Sequence, residues 1–428
     1  MGPLRPGLRR EPATDRSSVG EDADLAARIR AEIAAAGPMP FARFMDLALY
    51  DPAGGYYRGA TPGPGRDGDF LTAPELHPIF GQLLARAIAE IWERLDRPDP
   101  FVIREYGAGT GALAGSILGG ARDLPLRDAV RYQPVEVDPR RLVALRDTLA
   151  ADGLGDRLDL DKATDIAPDA PFVGVVLANE VLDALPVHRV RRRGDHLFEL
   201  AVGLDPHGAL VETEIEPSVP ALDDRLRSEG INLVDGQTAE ICLALDQWIA
   251  TATAYLTRGA VLLIDYGAPA TELYDPVRRR AGTLRAYVRH QVHDDPYRHI
   301  GRQDLTAHVD LTAVERAAAA AGLTTIGITT QAEALMGLGV EAHLQAIQAD
   351  PATTLEAYTL LRSSLMRLLD PAAMGRFRVM AFGRDWPAAG GPLSAFAYRL
   401  PDRSTPAASG IRPVPPPDHL DPHRTAPQ

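Results

Sequence analysis

Three glycines at alternate positions, Gly107, Gly109 and Gly111, follow the apolar run 101–106 and its acid, Glu105. The Ala/Leu-rich stretch 112–118 comes next, so the segment reads as strand, tight turn and helix. Glycine lets a backbone turn sharply and approach a ligand, because no Cβ stands in the way. A turn of this kind at the carboxyl end of a strand is where open α/β sheets bind nucleotides. Gly107, Gly109 and Ala112 also satisfy a tolerated form of the dinucleotide fingerprint. Glu105 argues for a different ligand. A carboxylate suits a sulfonium or ammonium and opposes a pyrophosphate, so E-x-G-x-G-x-G favours S-adenosylmethionine (SAM) over NAD. The plain alternative is a turn that binds nothing.

A second strand, 131–138, carries Glu136 roughly 25 residues after the loop, close to the spacing at which an acid meets ribose hydroxyls. Asp138 precedes Pro139, the pattern of an N-cap followed by proline at the first helical position. A third polar group, Asn179, Glu180 and Asp183, closes the apolar run 172–179. There a carboxylate pair could grip a guanidinium in a fork and aim one nitrogen at a methyl donor. Such a transfer depends on alignment more than on strong base catalysis. Glu180 is the first candidate for that grip and Asp183 the second. Capping of the following turn is the structural alternative for both.

These residues need a sheet to hold them. Helices are expected over 25–36, 41–50 and 74–95, around a glycine-rich loop at 54–68. Strands and helices then alternate: a strand at 101, a helix, a strand at 132, a helix over 140–150 and a short strand near Leu158. The apolar runs 172–179 and 260–267 read as central parallel strands covered on both faces. Residues 188–216 read as a small β insertion. A helix over 240–256, another over 312–321, a strand over 324–330 and the stretches 360–369 and 377–381 complete the sheet. The expected fold is a doubly wound α/β sheet. Its core spans 101–400 with insertions at 188–239 and 268–311, preceded by a helical region at 25–100. Residues 1–24 and 404–428 read as disordered tails.

The segment 282–311 is dense in polar groups, including Tyr287, His290, His293, Asp304, His308 and Asp310. Long segments of this kind are often lids or binding loops. The histidine spacing matches no strong zinc motif, so no metal is expected.

The net charge of −13 disfavours nucleic acid, whose binding rests on Lys and Arg neutralising phosphates. No run reaches the ~20 apolar residues of a membrane span. Cys242 is the one cysteine, so no internal disulfide is possible. Acids at Glu11, Asp15, Glu21 and Asp22 weigh against a mitochondrial transit segment, and a bacterial cytoplasm is the expected compartment.

Several motifs together resemble the MidA-like family of SAM-dependent methyltransferases. They are Gly54-Gly55-Tyr56-Tyr57, the run from Gly68 to Glu75, Phe80-Gly81, the glycine loop, the run from Asn179 to Pro186, Ile264-Asp265-Tyr266-Gly267, Arg285-Ala286-Tyr287 with His290, and the run from Asp304 to Asp310. The resemblance implies a class I, Rossmann-like methyltransferase core and SAM as cofactor. It implies that Gly68, Asp69 and Phe70 lie beside the cofactor. It also implies a protein arginine as acceptor, on a respiratory complex I subunit in studied members; the alternatives are a small-molecule acceptor, or a SAM-binding assembly factor that acts mainly by holding a partner. Asp265, Tyr266, His290, Asp304 and His308 fall in matching motifs and are expected on the acceptor side or in a lid.

Overall fold

The computed structural model describes residues 19–59, 72–159, 170–289 and 291–400. Its centre is a six-stranded sheet. The strands are β1 (Phe101–Tyr106), β2 (Val130–Val135), β3 (Phe172–Asn179), β4 (Leu256–Asp265), β5 (Thr324–Thr330) and β6 (Arg378–Arg384), in spatial order β5-β6-β4-β3-β1-β2. β1 pairs parallel with β2 and with β3, and β3 with β4. β6 alone runs antiparallel, between β4 and β5. After β2 the chain crosses over β1 to form β3, so strand order reverses there. The ligand crevice of an open α/β sheet therefore opens at the carboxyl ends of β1 and β3.

Alternation along the strands sorts the two cores. Phe101, Ile103, Val175, Leu177 and Leu262 face helices Ile79–Arg94, Ala112–Gly120 and Pro139–Ala151. Val102, Tyr106, Val176, Ala178 and Leu263 face helices Ala244–Thr253 and Leu311–Ala320. Both faces are buried, which is why the strands read as continuous apolar runs.

Helices Ala23–Ala36 and Phe41–Tyr50 form a separate core with the insertion: Leu25, Ile29, Phe44 and Met45 pack with Val202 and Leu305. A two-residue strand, Met39–Pro40, pairs antiparallel with Ala201 and Val202 of the insertion. It gives the insertion sheet its fifth strand, beside His188–Arg193, His196–Leu204, Leu210–Ile215 and Thr238–Ile241.

Five expectations need correction. The stretch 360–369, expected to complete the sheet, lies in helix Leu355–Leu369. The helix expected over 74–95 is two, Ala73–Leu76 and Ile79–Arg94, because Pro78 has no N–H and the His77 imidazole accepts from Ile79 N at 3.1 Å. The helix expected over 240–256 begins as the strand Thr238–Ile241, which pairs with His188–Arg191 before helix Ala244–Thr253 starts. The strand near Leu158 reduces to a single bridge to Tyr132. The segment 282–311 is not a loose loop. Arg285–Val288, Gln291–His293 and Asp304–Thr306 form a three-stranded antiparallel sheet, and Leu305 and Ala307 are buried against the N-terminal helices. Of the tails expected at 1–24 and 404–428, residues 1–18 and 404–428 lie outside the described residues, as do Gly68, Asp69, Phe70 and His290, while Asp22 caps helix Ala23–Ala36.

Candidate active site

The three glycines after β1 have positive φ, +68° at Gly107, +55° at Gly109 and +89° at Gly111, which explains the residue type. Each also does something different. A Cβ on Gly107 would meet Val181 at 2.8 Å, so this glycine lets the loop touch the turn after β3. A Cβ on Gly111 would meet Leu145 at 2.8 Å, so this one lets two helices pack. A Cβ on Gly109 would find only the Gly107 carbonyl, at 4.0 Å, and otherwise open space. That space is a cavity of about 800 Å³.

Glu105, Gly107, Gly109, Glu136, Asn179 and Glu180 all line this cavity. Glu105 is buried and accepts a hydrogen bond from the Tyr132 hydroxyl at 2.7 Å. Burial pushes its carboxyl up to about 7; the Tyr132 bond opposes this and the nearby Glu136 charge adds to it. Glu136 sits across the loop, where its Oε2 accepts from Gly109 N at 2.8 Å and its Oε1 from Asp138 N at 3.1 Å. Asp138 caps helix Pro139–Ala151 by accepting from Arg140 N at 2.9 Å. The two acids thus divide as their spacing suggests, one facing the cavity and the other closing the helix.

The turn after β3 is the most constrained part of the site. Glu180 has φ +53°, a left-handed conformation that costs a non-glycine residue ~1–2 kcal/mol. Its N–H donates to Ile264 O at 2.8 Å. Its Oε1 accepts from Asn179 Nδ2 at 3.1 Å and from Ala73 N at 3.3 Å. Its Oε2 is buried with no hydrogen-bond partner among the described residues, and so is Asn179 Oδ1. Burial, then the charge of Asp183, raises the Glu180 carboxyl to about 8. Two unmet acceptors on a cavity wall are an invitation to a donor, because a buried polar group without a partner is costly.

Asp183 stands one layer back and does not line the cavity. Its Oδ2 accepts from the Tyr266 hydroxyl at 2.5 Å, while its Oδ1 is buried without a partner among the described residues. Burial raises this carboxyl to about 6, against the Tyr266 bond. Asp265, at the end of β4, holds the turn from behind. Its Oδ2 accepts from the N–H groups of Val181 at 3.2 Å, Leu182 at 2.8 Å and Asp183 at 3.3 Å, and its Oδ1 accepts from Tyr266 N at 2.9 Å. Burial and the charges of Asp183 and Glu180 push its carboxyl upward as well. His308 packs edge-on against Tyr266, 5.2 Å between ring centres, and burial lowers its imidazole to about 4. Asp304 accepts from the Tyr57 hydroxyl at 2.9 Å. Asp265, Tyr266, Asp304 and His308 are therefore brought together behind the cavity wall and not in it.

The wall includes residues that the sequence does not announce as site residues. Tyr50 and Tyr57 stack at 5.4 Å and 22°, and the Tyr50 hydroxyl donates to Ala184 O at 3.0 Å. Trp248 and Tyr255 line the far side, and Arg141 comes from the helix after Glu136. The tyrosines fall in or beside the Gly54–Tyr57 motif, whose aromatic pair is the available signal. Nothing local marks Trp248 or Arg141. Among the described residues no cluster of three metal-ligating side chains occurs.

A crystal structure of a COG1565 superfamily member and likely methyl transferase from Burkholderia thailandensis, bound to S-adenosyl-homocysteine, has a similar fold over most of the chain. The TM-score is 0.79 at 36% identity, covering 87% of this chain and 94% of that one. The open Gly109 face and the acids around it fit the adenosyl and cationic parts of such a ligand. The protein is thus a SAM-dependent methyltransferase of class I fold, with S-adenosyl-L-methionine as its cofactor. It belongs to the family described as "Putative S-adenosyl-L-methionine-dependent methyltransferase", whose model matches residues 83–329. It is also similar to "Protein arginine methyltransferase NDUFAF7 homolog, mitochondrial" of Drosophila melanogaster, 28% identical over 88% of this chain and 89% of that protein. The "Protein arginine methyltransferase NDUFAF7, mitochondrial" of Mus musculus is 28% identical over 82% of each.

Proposed function

We propose that the chain methylates an arginine guanidinium of a protein partner. The observation that carries this reading is the pair of unmet acceptors, Glu180 Oε2 and Asn179 Oδ1, on the wall of an otherwise acidic cavity. A guanidinium offers five N–H donors in a planar fork and stays charged at any working pH. It would satisfy both oxygens at once. The relatives' names support the same acceptor class, and the motif resemblance implies a respiratory-complex subunit as the kind of partner.

The cofactor, when bound, supplies an electrophilic methyl on a sulfonium. The chain's own residues do the rest. Gly109 leaves room beside the backbone, Gly107 lets the loop touch the turn after β3, and Glu136 is the acid available to ribose hydroxyls. Glu105 adds negative potential under the loop. Glu180, held left-handed by its turn, accepts from the guanidinium and localises electron density on the attacking nitrogen. Its proton leaves when the cation arrives, because a nearby positive charge favours the ionised carboxylate and offsets the burial that raised it. Tyr50, backed by Tyr57, offers an aromatic ring to the same cation.

The test is transfer of labelled methyl from SAM into a proteome lacking this enzyme, followed by hydrolysis and amino-acid analysis. Label in methylarginine, lost in Glu180→Gln while S-adenosylhomocysteine still binds, is the expected result. Label in a small-molecule fraction, or on lysine, would sink the proposal.

A further inference from the structure

Five charged side chains line the cavity among the described residues: Glu75, Glu105, Glu136, Glu180 and Arg141. Four carboxylates match the cationic groups of a methyl donor and of a guanidinium. They leave Arg141 without an evident reason to be there, since a cation on this wall repels a cationic acceptor.

Arg141 is also under-used by its own neighbours. Its side chain is only 15% exposed. Its nearest carboxylate, Asp138, stands 3.9 Å from Nε, beyond hydrogen-bond distance. That carboxylate is already occupied: the Arg140 side chain donates to it at 2.8, 2.9 and 3.2 Å. Among the described residues Arg141 also lies over the face of Tyr57, 5.8 Å from guanidinium carbon to ring centre. None of its nitrogens is among the buried atoms without a partner, so the guanidinium is open to the cavity, where a ligand can complete its hydrogen bonds. The fork geometry of arginine matches a carboxylate with two parallel bonds.

S-adenosylmethionine carries one anionic group, its α-carboxylate. We propose that Arg141 binds that α-carboxylate, with Tyr57 holding the guanidinium against the cavity wall. Arg141 then selects the amino-acid end of the cofactor, while Glu136 serves the ribose. The inference rests on the cofactor and not on arginine as acceptor, so either proposal can fail without the other.

The experiment is calorimetric titration of the full chain and of Arg141→Met, which keeps the apolar stem and removes the charge. Two ligands are compared: S-adenosylhomocysteine, and its decarboxylated form, S-adenosyl-3-thiopropylamine. A charged hydrogen-bonded pair implies a fall of about 10- to 100-fold for the first ligand in the variant. Affinity for the second should stay within about twofold, since the missing group is the one Arg141 would touch. Arg141→Lys, which keeps the charge, should recover part of the loss for S-adenosylhomocysteine alone. Equal losses for both ligands would make Arg141 a wall residue and overturn the proposal, as would undiminished S-adenosylhomocysteine binding. Thermal melting of each unliganded variant separates misfolding from lost affinity.

Discussion

Asp265 makes the sharpest prediction about how the site is built. One of its oxygens receives the three successive N–H groups of Val181, Leu182 and Asp183, and the other receives Tyr266 N. Four hydrogen bonds at ~0.5–1.5 kcal/mol each sum to more than the ~1–2 kcal/mol that the left-handed Glu180 costs. The clamp therefore wins, and Glu180 stays aimed at the cavity. Asp265→Asn keeps one accepting oxygen but turns an amide N–H₂ towards a backbone donor. One unsatisfied buried donor corresponds to ~1–3 kcal/mol of stability, or a melting temperature lower by about 1–4 °C. Asp265→Ala removes the whole clamp and frees Glu180 to relax. A strain of ~1–2 kcal/mol then depopulates the aimed conformer by about 5- to 30-fold, and kcat should fall by that factor. Affinity for S-adenosylhomocysteine should change by less than about threefold, because Asp265 shares no hydrogen bond with Gly109 or Glu136. The assays are differential scanning fluorimetry, single-turnover methyl transfer at saturating SAM, and ligand titration. Unchanged kcat in the alanine variant would refute the argument that this carboxylate positions Glu180. A loss confined to cofactor affinity would refute it too.

Other expectations follow from the same geometry. Gly109→Val places branched carbons in the cavity at a φ of +55°, so S-adenosylhomocysteine binding measured by calorimetry should become undetectable; retained affinity would remove the loop from the cofactor site. Glu105 near 7 and Glu180 and Glu229 near 8 are raised above the ordinary carboxylate value, so the native state holds more protons than the unfolded one between about pH 4.5 and 8. Their contribution to stability is complete below about pH 4.5 and is lost as pH rises through 7–8, and the melting temperature of the unliganded protein should fall across that window. Glu180→Gln should flatten part of that slope; an unchanged profile would mean that Glu180 is ionised in the empty site. Binding of the cationic acceptor at pH 7 should release a proton from Glu180, visible as a buffer-dependent binding enthalpy, and the same variant should abolish it.

Much of this is legible in the amino-acid sequence, for identifiable reasons. The glycine loop can be read because alternate glycines report positive φ and close approach directly. β3 can be read because eight residues, apolar until the last, have few other homes. The capping role of Asp138 follows from Pro139. What cannot be read depends on partners distant in the chain. Thr238–Ile241 is a strand because His188–Arg191 lies beside it, and no local pattern announces that. The sheet within 282–311 is built from three- and four-residue strands, too short for periodicity to show. Helices Gln331–Gly337 and Val340–Ala349 are hidden because Gly337 and Gly339 interrupt the apolar spacing. In the site itself, Glu180 can be named from its strand end. The three-fold clamp by Asp265 and the sparse bonding of Arg141 are properties of geometry alone.

The pairing of Met39–Pro40 with Ala201 and Val202 has a consequence for synthesis. The partner strand leaves the ribosome roughly 160 residues after the strand it must join, which at ~5–20 residues per second is about 10–30 s. For that interval Leu25, Ile29, Phe44 and Met45 lack the surface that buries them in the finished protein. The aromatic wall formed by Tyr50 and Tyr57 is therefore assembled late, after its residues have been waiting in the nascent chain. Cells that make this enzyme quickly should depend on a holding chaperone for the two N-terminal helices more than for the catalytic sheet that follows.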